Sequence, residues 1–511
     1  MKHVLQLLLL LAITSVTSVS MAQKQPNIIV ILSDDHAYQA ISAYGSRLTQ
    51  TPNIDRIARE GAIFRNAFVN NSLCAPSRAT LLTGKYSHSN GLTINDFSQP
   101  FNVKQQLFTR ILREHNYQTA WIGKWHLQSL PDGFDYWQLL PDQGRYYNPD
   151  FITMNKDTVQ HTGYVTNIIT DITFDWLNRR DTSKPFCVIV GEKATHREWS
   201  PDLQDLGAFD HVKFPEPHDF RDDYKGRKAA ADQDMSIAKT MQFTYDLKLH
   251  INYKKDHPYK KMNAAQQEKF SAYYSQAVDK DFDAHHYTGD SLVSWKYQRY
   301  MKDYLSTAKS LDRNIGRILH YLDSTGLSRN TIVIYMSDQG FYLGEHGWFD
   351  KRFMYEESLR TPFVMRYPGV IKPGTKVDAL VANVDVAPTL LQAAGIAAPA
   401  DMQGASLLPV VKGKPAPAAW RKAVYYHYYE FGTHHVYPHF GVRTDRYKLI
   451  RFYGPIDSWE FYDLKKDPHE MHNSYSDKAN SSVISELQRE LVKEVTRLKD
   501  TSAAGVLRLT L

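Results

Sequence analysis

Continuous apolar runs mark the framework of this chain. Ile28-Ile29-Val30-Ile31-Leu32, Phe186-Cys187-Val188-Ile189-Val190 and Thr331-Ile332-Val333-Ile334-Tyr335-Met336 each have the length of one strand. Such runs suit strands covered on both faces, as in a parallel sheet, where polar alternation is lost. Each run gives way at once to residues with oxygen or nitrogen donors. Ser33-Asp34-Asp35 follow the first, Glu192, Lys193 and His196 the second, and Ser337-Asp338-Gln339-Gly340 the third. In open α/β sheets ligands bind beyond the carboxyl ends of the strands, so these segments mark one candidate site. Thr119-Ala120-Trp121-Ile122 predicts a further strand, ahead of Gly123-Lys124-Trp125-His126.

Helical periodicity precedes the third run. Tyr304, Ala308, Leu311, Ile315, Ile318, Leu319 and Leu322 recur at helical spacing and Gly326 supplies a stop, which predicts a helix packed on the sheet. Residues 200–290 are polar, aromatic and irregular, with the look of a long insertion that forms substrate walls. Residues 395–417 are rich in Ala, Pro and Gly and read as a domain edge. Strand-like runs follow at 423–429, 439–442, 447–452 and 459–462, then a charged helix over 482–499. The expected architecture is α/β, a large mixed and mostly parallel sheet flanked by helices, with a smaller C-terminal antiparallel sheet plus helix. The boundaries expected are 1–22 for a targeting segment, 23–400 for the catalytic part and 401–511 for the C-terminal part.

Composition narrows the compartment and the partners. Hydrophobic residues make up 42% and charged residues 23%, an ordinary globular balance. The formal charge of +6 does not gather into Lys/Arg blocks, so nucleic acid is not an expected partner. Lys2 and His3 precede an apolar run from Val4 to about Val16, and Ser20-Met21-Ala22 offers small residues for signal peptidase. That run is too short for a convincing membrane span, so the chain is expected to be exported, periplasmic or secreted. Only two cysteines occur, although disulfides are permitted there. Cys187 lies within an apolar strand and reads as inert packing. Cys74 lies in polar, Pro-containing sequence and needs a different explanation.

Cys74-Ala75-Pro76-Ser77-Arg78-Ala79-Thr80-Leu81-Leu82-Thr83-Gly84 resembles the signature of type I sulfatases in the alkaline phosphatase superfamily. The match runs through the Cys-x-Pro-Ser-Arg core and the following Leu-Thr-Gly. The resemblance implies an alkaline phosphatase-like fold and oxidation of Cys74 to formylglycine by a maturation enzyme of the host cell. A hydrated aldehyde carries two hydroxyls on one carbon: one can attack sulfur, and the other can then lose its proton and expel sulfate. The local sequence fits a strand-to-helix turn, with Ser77 and Arg78 opening a helix whose free N–H groups face an anion.

Other segments carry the same resemblance. Asp34, Asp35, Asp338 and Gln339 match the family's metal ligands, and with the residue-74 hydroxyl this oxygen set suits Ca²⁺ better than zinc. Gln339 departs from the Asn often found there and puts the amide on a longer arm. Lys124 and His126 match a Lys-x-His element. Lys124 is implied to stabilise the residue-74 hydroxyl with Arg78, and His126 to accept a proton from it. His196 and Lys351 are implied to hold sulfate and to support the leaving alkoxide. Lys193 is read as solvent-facing, with a sulfate contact as the alternative.

On the substrate side, Ser337 to His346, Asp350-Lys351-Arg352 and Pro438 to Thr444 look like the branch acting on N-acetylglucosamine-6-sulfate in host glycans. Asp350 and Arg352 flank the sulfate lysine and suit a vicinal diol, one accepting and one donating; a local salt bridge is the alternative. His439 is expected to close the pocket from the C-terminal part. Two rivals stand beside a sulfatase for this or another sulfated sugar. One is a phosphonate monoester hydrolase or phosphodiesterase of the same superfamily, and the other a sulfated-glycan-binding protein without catalysis.

Overall fold

The computed structural model describes residues 25–96, 98–412 and 416–511. The predicted targeting segment, 1–22, lies outside the described residues. Five parallel strands form the centre of the fold: β1 (Asn27–Ser33), β2 (Gln118–Lys124), β3 (Tyr136–Leu140), β4 (Phe186–Gly191) and β5 (Thr331–Ser337). They lie side by side in the order β5-β1-β4-β2-β3. The three apolar runs are therefore adjacent, with β1 between the other two, and each is buried on both faces. Short strands extend the sheet at both edges to ten among the described residues. Phe363–Arg366 runs antiparallel to β5, and Asp150–Thr153 antiparallel to β3, which makes the sheet mixed.

Alternate side chains of each central strand feed two separate cores. Ile28, Val30, Ile189, Ile332 and Ile334 pack under α1 (Cys74–Thr83) with the helices Phe108–Glu114 and Val386–Ala393. Ile29, Ile31, Val188, Val190 and Val333 pack under α2 (Val165–Arg179) and α3 (Gly289–Ser324). Every residue of the predicted helical stripe from Tyr304 to Leu322 is buried on α3, and Gly326 beyond it takes a left-handed φ of 72°. Cys187 is fully buried among the apolar side chains beneath α1. The 200–290 segment is turn-rich apart from Lys228–Asp232, until the contiguous helical stretch Ala264–Tyr274, Ser275–Asp279 and Lys280–His285. It is pinned by its own apolar cluster, in which Phe214, Phe220, Ile237, Met241 and Leu247 meet Tyr297, Tyr300 and Phe349.

The C-terminal strands β6 (Ala423–Tyr428), β7 (His439–Thr444), β8 (Tyr447–Phe452) and β9 (Ser458–Asp463) form an antiparallel sheet in sequential order. α4 (Ser481–Leu498) buries Ile484, Leu487, Leu491, Val495 and Leu498 in the core of this sheet. A short helix, Thr501–Leu507, follows and was not foreseen from the sequence. This sheet also packs on Phe353, Met354 and Tyr355, so the loop after β5 is clamped from below. No helix among the described residues is long and apolar enough to cross a membrane.

Where β2 reaches its carboxyl end the two backbones nearly touch. Gly123 has φ 97°, and a Cβ there would lie 2.1 Å from the Gly191 carbonyl oxygen. Gly123→Ala must both strain its backbone and push β4 away, for a loss of about 2–5 kcal/mol in denaturant unfolding. An unchanged unfolding midpoint would contradict this account of the sheet.

Candidate active site

Cys74 is the first residue of α1, and all ten residues of that helix are buried. Pro76 sits in the first turn, where its missing N–H forfeits no intrahelical bond. Gly84 ends the helix in a left-handed conformation, its N–H donating to the Thr80 carbonyl at 2.9 Å. α1 is thereby a rigid rod that presents one side chain at the carboxyl edge of the sheet. Cys74 Sγ lies 3.4 Å from Asp34 Oδ1 and 3.4 Å from Lys351 Nζ. Burial and the neighbouring Asp34 push the thiol pKa far up, so it stays protonated and is a poor nucleophile as cysteine.

Around Cys74, three buried carboxylates face three buried cations. Asp34 and Asp35 follow β1, and Asp338 follows β5. Lys124, the last residue of β2, is ion-paired to Asp34, and Lys351 Nζ lies 2.5 Å from Asp35 Oδ1. Arg78 donates through Nε and Nη2 to Asp338 Oδ2 at 3.0 and 2.9 Å, and through Nη1 to the Lys124 carbonyl at 2.9 Å. Burial alone would raise the Asp34 carboxyl, but Lys124, with Arg78 and Lys351, holds it well below the carboxylate range. Asp35 goes the other way, pushed up to about 7 by burial against the pull of Lys351, and Asp338 to about 6 by burial and Asp34.

One oxygen from each of Asp34, Asp35 and Asp338 lies within 4.8 Å of the others, about twice a Ca–O bond. Gln339 donates through Nε2 to Asp35, while its Oε1 is buried and has no partner. An all-oxygen set with one orphaned amide oxygen fits a hard divalent cation. Because the three carboxylates are already paired one for one, a bound divalent cation would make the pocket positive and suited to an anionic ester.

The histidines take their places from the neighbouring strand ends. Gln143, from the loop after β3, accepts from Lys124 Nζ through Oε1 and puts its amide nitrogen 3.0 Å from His126 Nε2. Burial pulls His126 down to about 4 although Asp142 lies 3.5 Å away, so the ring is neutral at pH 7. His196, beyond β4, lies 3.8 Å from Asp35 Oδ2 through Nε2 and donates from Nδ1 to the Arg197 carbonyl at 2.7 Å. Burial, with Lys124 next, also keeps His196 neutral. Lys193 corrects the expectation of a solvent-facing lysine. It is 1% exposed and its ammonium sits over the Tyr146 ring, 4.5 Å from the centroid.

Asp350, Lys351 and Arg352 diverge. Asp350 and Arg352 have φ of 84° and 94°, a left-handed backbone that non-glycine residues rarely adopt. Lys351 turns into the carboxylate cluster, and its neighbours turn to a common outer edge. There Arg352 Nε lies 3.1 Å from Asp350 Oδ1, its Nη1 lies 2.7 Å from Glu430 Oε2, and His434 Nε2 lies 3.4 Å from Asp350 Oδ2. The local salt bridge is thus present, within a wider group that also contains Glu430 and His434.

His439 does not join this group. It is fully buried, its Nδ1 donating to the Tyr437 carbonyl at 2.8 Å and its Nε2 accepting from the Met354 N–H at 3.0 Å. With both ring nitrogens used and Phe353, Phe452 and Tyr426 against it, it braces the loop from beneath and offers nothing to a sugar. Gln143, Glu430 and His434 were missed by the sequence reading. His434 alone carried a signal, as part of the His434-His435 pair in the loop between β6 and β7.

Beside this geometry stand likenesses to known proteins. A family model described as Sulfatase matches residues 26–396, and one described as N-sulphoglucosamine sulphohydrolase, C-terminal, matches residues 344–497. The chain is 49% identical to an N-acetylglucosamine-6-O-sulfatase of Bacteroides thetaiotaomicron, over 97% of this chain and 91% of that one. It is 28% identical to the human N-acetylglucosamine-6-sulfatase, over 83% and 71% of the two chains. A solved structure of a protein with its substrate D-glucosamine-2-N,6-O-disulfate superposes with a TM-score of 0.91 at 48% identity, covering 93% of this chain and 99% of that one. The chain therefore belongs to the sulfatase family and is a sulfuric ester hydrolase.

Proposed function

We propose that this chain removes the 6-O-sulfate of N-acetylglucosamine units in host glycans, glycosaminoglycan or mucin. It does so as an exported enzyme whose Cys74 is oxidised to formylglycine by a maturation enzyme, with Ca²⁺ held by Asp34, Asp35, Asp338 and Gln339. The carrying observation is the divergence of Asp350-Lys351-Arg352. One tripeptide sends its lysine to within 3.4 Å of Cys74 Sγ and gathers an acid and a guanidinium at the outer edge. A sulfated hexose suits that arrangement, with the ester toward Cys74 and ring hydroxyls toward Asp350 and Arg352. The 49% identical N-acetylglucosamine-6-O-sulfatase supports the choice of sugar.

Formylglycine at position 74 would, once hydrated, supply one hydroxyl as nucleophile toward sulfur, with the sugar alcohol as leaving group, and a second whose proton loss would release sulfate and restore the aldehyde. Around it, Lys124 and Arg78 keep positive charge beside residue 74, fixed by their bonds to Asp34 and Asp338. His126, buried and neutral, accepts a proton. Lys351 meets the sulfate oxygens, and His196 stands with it where charge develops on the leaving alkoxide. Asp350 and Arg352 take the sugar hydroxyls, with Glu430 and His434 holding them in place.

Incubation with 6-sulfated N-acetylglucosamine is expected to release sulfate. No release, with turnover of a different sulfated sugar, would overturn the choice of substrate. Asp350→Ala should lower kcat/KM for the sugar about 10- to 100-fold more than for a small aryl sulfate, the worth of one or two charge-assisted hydrogen bonds. Equal losses on both would place Asp350 outside sugar recognition.

A further inference from the structure

A cavity of about 420 Å³ opens at the carboxyl edge of the sheet, and its wall includes Gln143 and His196 of the candidate site. Through these two residues it adjoins the carboxylate cluster, since Gln143 accepts from Lys124 and His196 lies 3.8 Å from Asp35. The rest of its wall comes from Asp142, Arg145, Asp150, Lys193, Arg197, Glu198, Tyr245 and His257 among others.

The cations of this wall differ in how they are paired. Arg197 is neutralised by Asp246 through two bonds of 2.6 and 2.7 Å. Arg145 donates only to the carbonyl and ring nitrogen of His257, and to no carboxylate among the described residues. The Lys193 ammonium, 1% exposed, has the Tyr146 ring beneath it but forms no hydrogen bond and no ion pair among the described residues. Burying an ammonium without an acceptor is unfavourable, and a cation–π contact offsets only part of that cost. The acids of the wall do not supply the missing partner. Asp150 is paired to Lys261, Asp142 faces His126 at 3.5 Å, and Glu198 accepts from the Tyr245 hydroxyl at 3.5 Å.

We propose that Lys193 and Arg145 form a subsite for a second anionic group carried by the 6-sulfated sugar. This rests on the reading of the substrate given above. That group is a sulfate on the sugar nitrogen or the carboxylate of an adjoining uronic acid. Glu198 in the same wall provides an acceptor for the N–H that N-acetyl and N-sulfo groups share. The subsite thereby selects among 6-sulfated glucosamines without touching the sulfur that reacts.

The test compares kcat/KM for three compounds: N-acetylglucosamine-6-sulfate, glucosamine 2-N,6-O-disulfate, and a disaccharide joining a uronic acid to N-acetylglucosamine-6-sulfate. Lys193→Met should cut the preference for a doubly charged compound over N-acetylglucosamine-6-sulfate about tenfold, and Lys193→Arg should restore it. A cut confined to the disulfate assigns the subsite to the N-sulfate, and one confined to the disaccharide assigns it to the carboxylate. Should Lys193→Met fail to fold, Arg145→Met, at a partly exposed position, should lower the same ratio. Ratios that stay as in the wild type, or equal losses on all three compounds, would overturn the subsite. Wild-type protein that hydrolyses none of the three would instead remove the substrate reading beneath it.

Discussion

Three carboxylates buried within one pocket repel one another, and the whole catalytic edge of this fold is organised to offset that repulsion. Asp34, Asp35 and Asp338 are brought together because β1 and β5 are neighbours in register, Ser33 opposite Ser337. Lys124, Lys351 and Arg78 answer them one for one, from the end of β2, from the loop after β5 and from α1. Burial still carries Asp338 up to about 6 and Asp35 up to about 7, which is the cost of gathering the acids in one place. The ion pairs that hold these carboxylates together also fix Lys124, Arg78 and Lys351 around Cys74, so folding and the geometry of the site share one electrostatic constraint.

That constraint requires stiff supports. Lys124 is placed by a strand whose preceding glycine touches β4, Arg78 by a helix buried along its whole length, and Lys351 by a loop held in left-handed backbone on both sides of it. The C-terminal sheet contributes from below: His439 ties the Met354 N–H, and β6 places Tyr428 against Arg352 at 3.3 Å. Strain of about 1–3 kcal/mol at each left-handed residue persists only because this packing over-determines the loop.

The central strands and the carboxylates beyond them were legible in the sequence, because burial on both faces leaves a continuous apolar run and the chemistry follows immediately. The Cys74 motif was legible because it is contiguous. The short flanking strands were not, since Ala62–Phe64 and Phe363–Arg366 are too short for a pattern to register. Lys193 was misread because its environment is set by Tyr146, far away in the chain, and not by its neighbours. His439 was misread for a related reason. Its register opposite Tyr428 and Phe452 buries it in the aromatic underside of the loop, while the nearby His434 reaches Asp350. Gln143 left no signal, as an amide in a polar loop looks like any other until β3 is placed beside β2.

The account depends on Cys74 being a precursor and not the working nucleophile. Mass spectrometry of the peptide spanning Cys74, taken from a preparation actively releasing sulfate, addresses that directly. The account predicts formylglycine at position 74. An unmodified cysteine throughout a preparation that turns over sulfated sugar would contradict it.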